Sequence, residues 1–316
     1  LRLPPKEHRA ILANLEFRGL GNPFYLDTSI SGRRELAVTI ANRTNRPERL
    51  TVSPHTAFAV EPAFAEITLP PGGKSHLRFL RKTGRFQSMQ EYRLPVELRF
   101  RESSSTVETL RKPVFSTYGK DVANAKWHTV SNPGPVWNQQ PHTGTEDLGA
   151  KFASCWNERG IGLSVIVTDD QLHFADTPPA AWQNDSLQIY FARENTSKRF
   201  DQCDYTVGLT TPGIPFAYLN HAPEGRFIGE ANATEGIDTA VRVTVKKTAS
   251  NTLQYDLFFP AEVLPGIAMK AGNSLRFSLL INDNDRNGRK TGLTLNPPGT
   301  EPYRNSRRFP ELVLIR

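Results

Sequence analysis

The chain is poor in sulfur, with two cysteines and two methionines in 316 residues. Cys155 and Cys203 cannot form a disulfide framework or supply a cysteine-based metal site alone. They leave either one bridge or two buried thiols. The seven histidines form no His-x-x-x-His pair, and there is no Gly-x-Ser-x-Gly, phosphate loop or dinucleotide fingerprint. No Glu pair stands in apolar surroundings, as a glycosidase would need. These gaps argue against intrinsic catalysis. No run of 18 apolar residues occurs, so no membrane-spanning helix is expected. No long helical period occurs either. Short alternating runs instead lie between turns rich in the 24 prolines and 22 glycines, which predicts an all-β protein. The chain starts at Leu1 without Met, so it is expected to be a portion of a longer protein.

Charge is unevenly placed. The net value is +7, and residues 1–118 carry 19 Lys/Arg against 11 Asp/Glu. The basic residues, among them Arg33, Arg34, Arg43, Arg46, Arg49, Arg78, Arg81 and Arg85, are scattered among turns without interleaved aromatics. That pattern reads as a solvated basic surface rather than a nucleic-acid interface. The same region alternates with period two at Arg34–Ile40, His76–Leu80 and Tyr92–Phe100, with turns at Asn42–Pro47 and Pro70–Gly73. Roughly seven short strands at this spacing predict an immunoglobulin-like β-sandwich over residues 1–118. Residues 119–145 read as a linker merging into a first strand, with Trp127 and Trp137 as packing anchors.

From Asp147 the predicted strands lengthen. Two aromatics stand out in matching contexts, Trp182 before the run Ser186–Phe191 and Tyr303 before Leu312–Ile315. Each lies in a polar loop just ahead of a strand, where no core requires it. Two such rings could wall a slot for a flat amphipathic ligand. A sugar ring is one: its C–H faces stack on aromatics while its hydroxyls need hydrogen bonds at the edge. Asp185 and Ser186 read as groups that bond loop backbone.

An ordered series of motifs runs through this second region. It comprises Val167–Asp170 (Val-Thr-Asp-Asp), Trp182-x-x-Asp185-Ser186, Tyr205–Val207, Lys270–Gly272, the Asn282–Arg289 loop (Asn-Asp-x-Asp-x-x-Gly-Arg) and Tyr303–Leu312. In this series residues 119–316 resemble a family 9 carbohydrate-binding module. The resemblance implies an antiparallel β-sandwich that holds a polysaccharide end or short sugar between two aromatics, here Trp182 and Tyr303. It puts Gln188 where a Glu accepts sugar hydroxyls, and Thr206 where an Arg binds them. Leu295 replaces another family aromatic. Asn296, Glu301 and Arg304 are the remaining hydrogen-bonding candidates. The family also binds calcium structurally, and oxygen ligands suit that ion. Asp169, Asp170, Asp283 and Asp285 are the candidate ligands.

The expectation is therefore two antiparallel β-sandwich domains, immunoglobulin-like then family-9-like, that bind a saccharide without catalysis. The expected partners are a polysaccharide end and a catalytic domain of the same parent chain, with no nucleic acid and no membrane insertion. The expected location is extracellular, cell-surface or periplasmic. The competing reading is an inter-domain scaffold that has lost sugar binding, favoured by Thr206 and Leu295. A haem-binding variant would need axial Met or His ligands on facing strands, and Met269 sits beside a turn.

Overall fold

The computed structural model describes residues 23–316 except 102, 138–139, 194–201, 223–235, 265, 287, 301 and 303–305. The chain divides into two compact units, at Pro113/Val114. Unit one holds β1 (Phe24–Ile30), β2 (Glu35–Asn42), β3 (Glu48–Pro54), β4 (Val60–Glu61), β5 (Ala65–Leu69), β6 (Lys74–Arg81), β7 (Tyr92–Phe100) and β8 (Ser103–Arg111). They form two four-stranded antiparallel sheets, ordered β1-β2-β6-β4 and β5-β3-β7-β8. The period-two alternation of β2 buries Leu36, Val38 and Ile40, and that of β7 buries Leu94, Val96 and Leu98, giving the expected sandwich core. Many basic side chains here meet cross-strand carboxylates, including Arg49–Glu66, Arg78–Glu35 and Arg93–Glu108. Arg111 and Asp27 form a buried pair.

Unit two holds β9 (Pro113–Tyr118), β10 (His128–Val130), β11 (Asn132–Pro133), β12 (Leu148–Asn157), β13 (Gly160–Asp169), β14 (Ser186–Ala192), β15 (Gln202–Leu209), β16 (Pro215–His221), β17 (Gly236–Ile237), β18 (Arg242–Ala249), β19 (Thr252–Pro260), β20 (Ser274–Asp283), β21 (Thr291–Thr294) and β22 (Glu311–Ile315). Their ladder runs β17-β16-β15-β14-β20-β22-β9-β12-β13-β19-β18. The core lies between two parts of this ladder. Phe191 of β14 meets Phe259 of β19 at 5.0 Å between ring centroids, and Tyr205 of β15 meets the same ring at 5.3 Å. Trp156 is fully buried and donates its indole N–H to the Ile315 carbonyl at 2.9 Å. Cys155 and Cys203 are both buried and form no disulfide, and burial pushes the Cys155 thiol up to about 11.

One sequence expectation shifts. The second unit starts about five residues before 119, because β9 pairs in parallel with β12 and Ser116 shares a hydrogen bond with Ser154 at 2.8 Å. Residues 119–145 do carry strand as expected, in two short pieces: β10 pairs β12, and β11 pairs β21. Strand β21 in turn pairs with β20, and that pairing needs Gly292. A Cβ there would stand 2.4 Å from the Ile281 carbonyl oxygen. The segment after β11 is held alongside by Gly134 N–H to the Gly292 carbonyl, at 2.7 Å. Gly292→Ala is expected to destabilise the protein by about 2–4 kcal/mol through this backbone clash, measurable as a lowered denaturant midpoint.

Candidate functional site

Strands β14, β15 and β20 are buried on both faces. Alternation sends Leu187, Ile189 and Phe191 into the main core and Ser186, Gln188, Tyr190 and Ala192 to the opposite face. On that face Tyr190, Ala192, Leu280 and Phe309 form a small apolar cluster, with Trp137 packed against it. Beside this cluster the face becomes polar. Gln188 stands in register with Thr206, Asn282 with Ser186 one step along, and Asn220 of β16 reaches Thr206 from the other side. Asn220 Nδ2 donates to Thr206 Oγ1 at 2.8 Å and to Asp204 Oδ1 at 3.2 Å. Asn282 Nδ2 donates to Ser186 Oγ at 3.0 Å and, more weakly, to Gln188 Oε1 at 3.4 Å.

Trp182 stands at the edge of this face. It belongs to a single 3₁₀ turn, Pro178–Gln183, entered through two prolines that preset its backbone. The turn buries Ala181 against Ala175 and Phe216 and leaves Trp182 39% exposed. Ser186 Oγ donates to the Ala181 carbonyl at 2.8 Å, and Asn284 Nδ2 to the Gln183 carbonyl at 2.9 Å. Asp185 accepts the backbone N–H groups of His173 and Asn284. These bonds hold the turn on both sides, so the Trp182 ring has a fixed base.

The other candidates divide by burial. Gln188 is 7% exposed, and Thr206 and Asn296 are fully buried. Gln188 is engaged inside the protein, accepting from Arg289 Nη2 at 3.0 Å and bonding Asp204. Asn296 accepts from Ser278 Oγ at 2.8 Å. Leu295 is buried too. Glu301, Tyr303 and Arg304 lie outside the described residues. Sequence reading missed Arg289, Asp204 and Asn220, whereas Trp137, expected as a packing anchor, packs as one. Arg289 Cζ lies 3.5 Å from the Trp137 ring centroid and 5.6 Å from that of Trp182. The only signal for Arg289 was its place at the end of the Asn282–Arg289 motif.

The four acidic candidates converge. Carboxylate oxygens of Asp169, Asp283 and Asp285 lie within 4.8 Å of one another, as do those of Asp147, Asp170 and Asp285. Asp147, the addition, comes from the start of β12. Lys290 enters the same cluster and bonds Asp147 and, at 2.7 Å, Asp285. Burial pushes Asp283 up to about 7 and Asp169 up to about 6, with neighbouring carboxylates adding to both. Burial opposes the Lys290 ammonium, but its bonds to Asp147 and Asp285 hold its pKa above the ordinary lysine value. Even so, Asp169 Oδ2, both Asp283 oxygens and Asp285 Oδ1 are buried without a hydrogen-bond partner. Such an all-oxygen set with orphaned acceptors fits a hard divalent cation.

Asp204 is the other perturbed carboxyl. Burial pushes it up to about 7, against the opposing pull of Asn220, Arg289 and Gln188. A carboxyl raised in the fold contributes stability below its unfolded pKa and loses it as pH rises through the folded value. Asp204→Asn is therefore expected to raise the Tm relative to wild type by a few degrees at about pH 8.5, with the gain vanishing near about pH 4. Thermal melts at the two pH values check this.

Residues 121–316 match the family model described as carbohydrate family 9 binding domain-like. No curated protein matches the chain at a significant level. Among solved structures, a family 9 carbohydrate-binding module from Caldicellulosiruptor kristjanssonii in complex with cellotriose aligns at a TM-score of 0.47 and 17% identity, covering 65% of this chain and 94% of that one. A family 9 module from the same bacterium in complex with glucose aligns at 0.47 and 16%, covering 64% and 95%. The family match spans well over half of the sequence, and with its β-sandwich and motif order the chain belongs to the carbohydrate family 9 binding domain-like family.

Proposed function

We propose that the second unit binds a saccharide, non-catalytically, on the face beside Trp182. The observation that carries this reading is an indole left 39% exposed on a turn braced from both sides, next to a face of interlocked amides. A rigid ring offers a stacking surface without an ordering penalty, and the neighbouring polar groups supply edge contacts. Affinity from one such site falls roughly between micromolar and millimolar. Tyr303 is the proposed second ring. The module would serve as an accessory part of an exported polysaccharide-degrading protein, outside the cell, at its surface or in the periplasm. No helix among the described residues is long and apolar enough to cross a membrane.

We also propose calcium in the acidic cluster, held by Asp169, Asp283 and Asp285 with Asp147 and Asp170 beside them. The ion would neutralise carboxylates that the single Lys290 ammonium leaves uncompensated. Its place is structural: Asp185 and Asn284, next to these ligands, hold the Trp182 turn. The scaffold reading keeps one specific observation in its favour, the engagement of Gln188 within the protein.

Titration with gluco-, xylo- and galacto-oligosaccharides, read by tryptophan fluorescence, tests the first proposal. Wild type is expected to give a saturable change that Trp182→Ala weakens about tenfold or more. Silence of wild type across the panel would favour the scaffold. In chelator-treated protein, calcium at about a hundred times its Kd is expected to raise Tm by about 5–10 °C. Asp283→Asn should remove most of that rise, and an unchanged melt on adding calcium to wild type would exclude the ion.

A further inference from the structure

We propose that the second unit carries a second saccharide site, a groove along the outer face of strands β12, β13, β19 and β18. It goes beyond the Trp182 reading and shares no residue with that site. Cross-strand register lays down its floor. Cys155, Gly162, Phe258 and Arg242 stand in one row across the four strands. Ser164, Asp256 and Thr244 stand in the next. The residues between them, such as Leu163, Leu257 and Phe259, alternate to the other side and enter the core.

A cleft of about 620 Å³ lies over these rows, within the size range of ligand sites. Two features of the chain make it. The first is Gly162, which puts no side chain on the floor: a Cβ there would stand 2.6 Å from Cys155 Sγ. A glycine inside a strand marks a place that something else approaches closely. The second is the segment 119–127, which forms the wall on the β12 side. Gly119 N–H donates to the Trp156 carbonyl at 2.9 Å, and Ala125 N–H to the Val122 carbonyl at 2.9 Å. Lys151 Nζ lies 5.5 Å from the centroid of the Trp127 ring at the end of this wall. On the β18 side, Arg242 lies over Phe258, with Cζ 4.5 Å from the ring centroid.

The groups in the groove suit a neutral sugar chain. Trp127 and Phe258 are half-buried and offer apolar surface to the C–H faces of a pyranose. The polar groups keep open valences. Asp256 Oδ1 accepts from Ser164 Oγ at 2.7 Å and Gln254 Nε2 at 2.9 Å, whereas Oδ2 meets only Lys246 Nζ, at 3.4 Å, among the described residues. Burial opposes the Asp256 charge, but the bonds from Gln254 and Ser164 hold its pKa below the ordinary carboxylate value. A charged acceptor therefore faces the groove. Arg242 is exposed and, among the described residues, spends no donor on a protein oxygen. Hydroxyls both give and accept, so they match an acceptor on the floor and donors at the rim. The floor carboxylate would repel an acidic polymer. From Phe258 to Gln254 the groove follows four steps of β19, about 13 Å at the rise of a strand. It would therefore take a stretch of chain laid along the strands, not a single ring.

The test follows the indole N–H resonances of the four tryptophans in the isotope-labelled full chain, assigned with Trp127→Phe and Trp182→Phe. Wild type, Trp182→Ala, Thr244→Tyr and Arg242→Ala are titrated with cellotetraose, xylotetraose and mannotetraose, and each protein is melted to follow Tm. At least one probe is expected to shift the Trp127 resonance saturably, with a Kd on the order of millimolar, and to do so equally in Trp182→Ala. Thr244→Tyr fills the groove from an exposed position and should weaken this response about tenfold or more, leaving that of Trp182 in place. Arg242→Ala should weaken it about fivefold to tenfold. Should Thr244→Tyr fail to fold, Arg242→Ala carries the test. A Trp127 resonance that no probe moves overturns the groove. So does a response that vanishes in Trp182→Ala, which would report one site, or one that both groove variants leave unchanged. In each of these cases a Trp182 resonance that still responds in wild type keeps the first saccharide reading alive. A responding Trp127 beside a silent Trp182 does the reverse, and silence of both removes both.

Discussion

Burying the Lys290 ammonium among Asp147, Asp283 and Asp285 is the interaction on which the polar side of the second unit depends. Removing these charges from water is unfavourable, and the bonds of one cation offset only part of that for so many carboxylates. What the cluster provides is position. It joins the start of β12, the end of β13 and the segment after β20, which are far apart in sequence. From that junction Asn284 reaches the Gln183 carbonyl and Asp185, so the turn bearing Trp182 is attached to it. Arg289 is attached to it as well, through its neighbour Lys290.

The second constraint is the pleat. In β14 and β15 both faces are buried, which the alternation of apolar and polar residues alone does not reveal. One face takes part in the main aromatic core. The other is covered by Trp137 and Phe309 over Tyr190, and further along by interlocked amides. A buried polar network of this kind is favourable only when its members are satisfied. That explains why Gln188 is spent inside the protein, while Arg289 and Asn220 stay half-buried at its margins.

Much of this was legible in the sequence because it depends on local pattern. Alternating runs between Pro and Gly turns gave the all-β class and many of the long strands, though not β1, β8 or β16, since period-two burial is a property of each strand alone. The motif order gave the family, and the Asp-rich strand ends gave four of the five cluster carboxylates. The context of Trp182 correctly indicated an exposed ring. The unit boundary was placed late because Val114–Tyr118, counted with the first domain, pairs with β12.

By itself, then, the sequence determined which residues are strands, which face of each is apolar, and which loops carry carboxylates and aromatics. Only the tertiary structure decided which of those groups meet. Asp147 joins carboxylates more than a hundred residues away, Gln188 turns inward, and Arg289 lies on Trp137 across a separation of about 150 positions. Such meetings follow from strand order and cross-sheet register, which join segments distant along the chain and leave no local period to read.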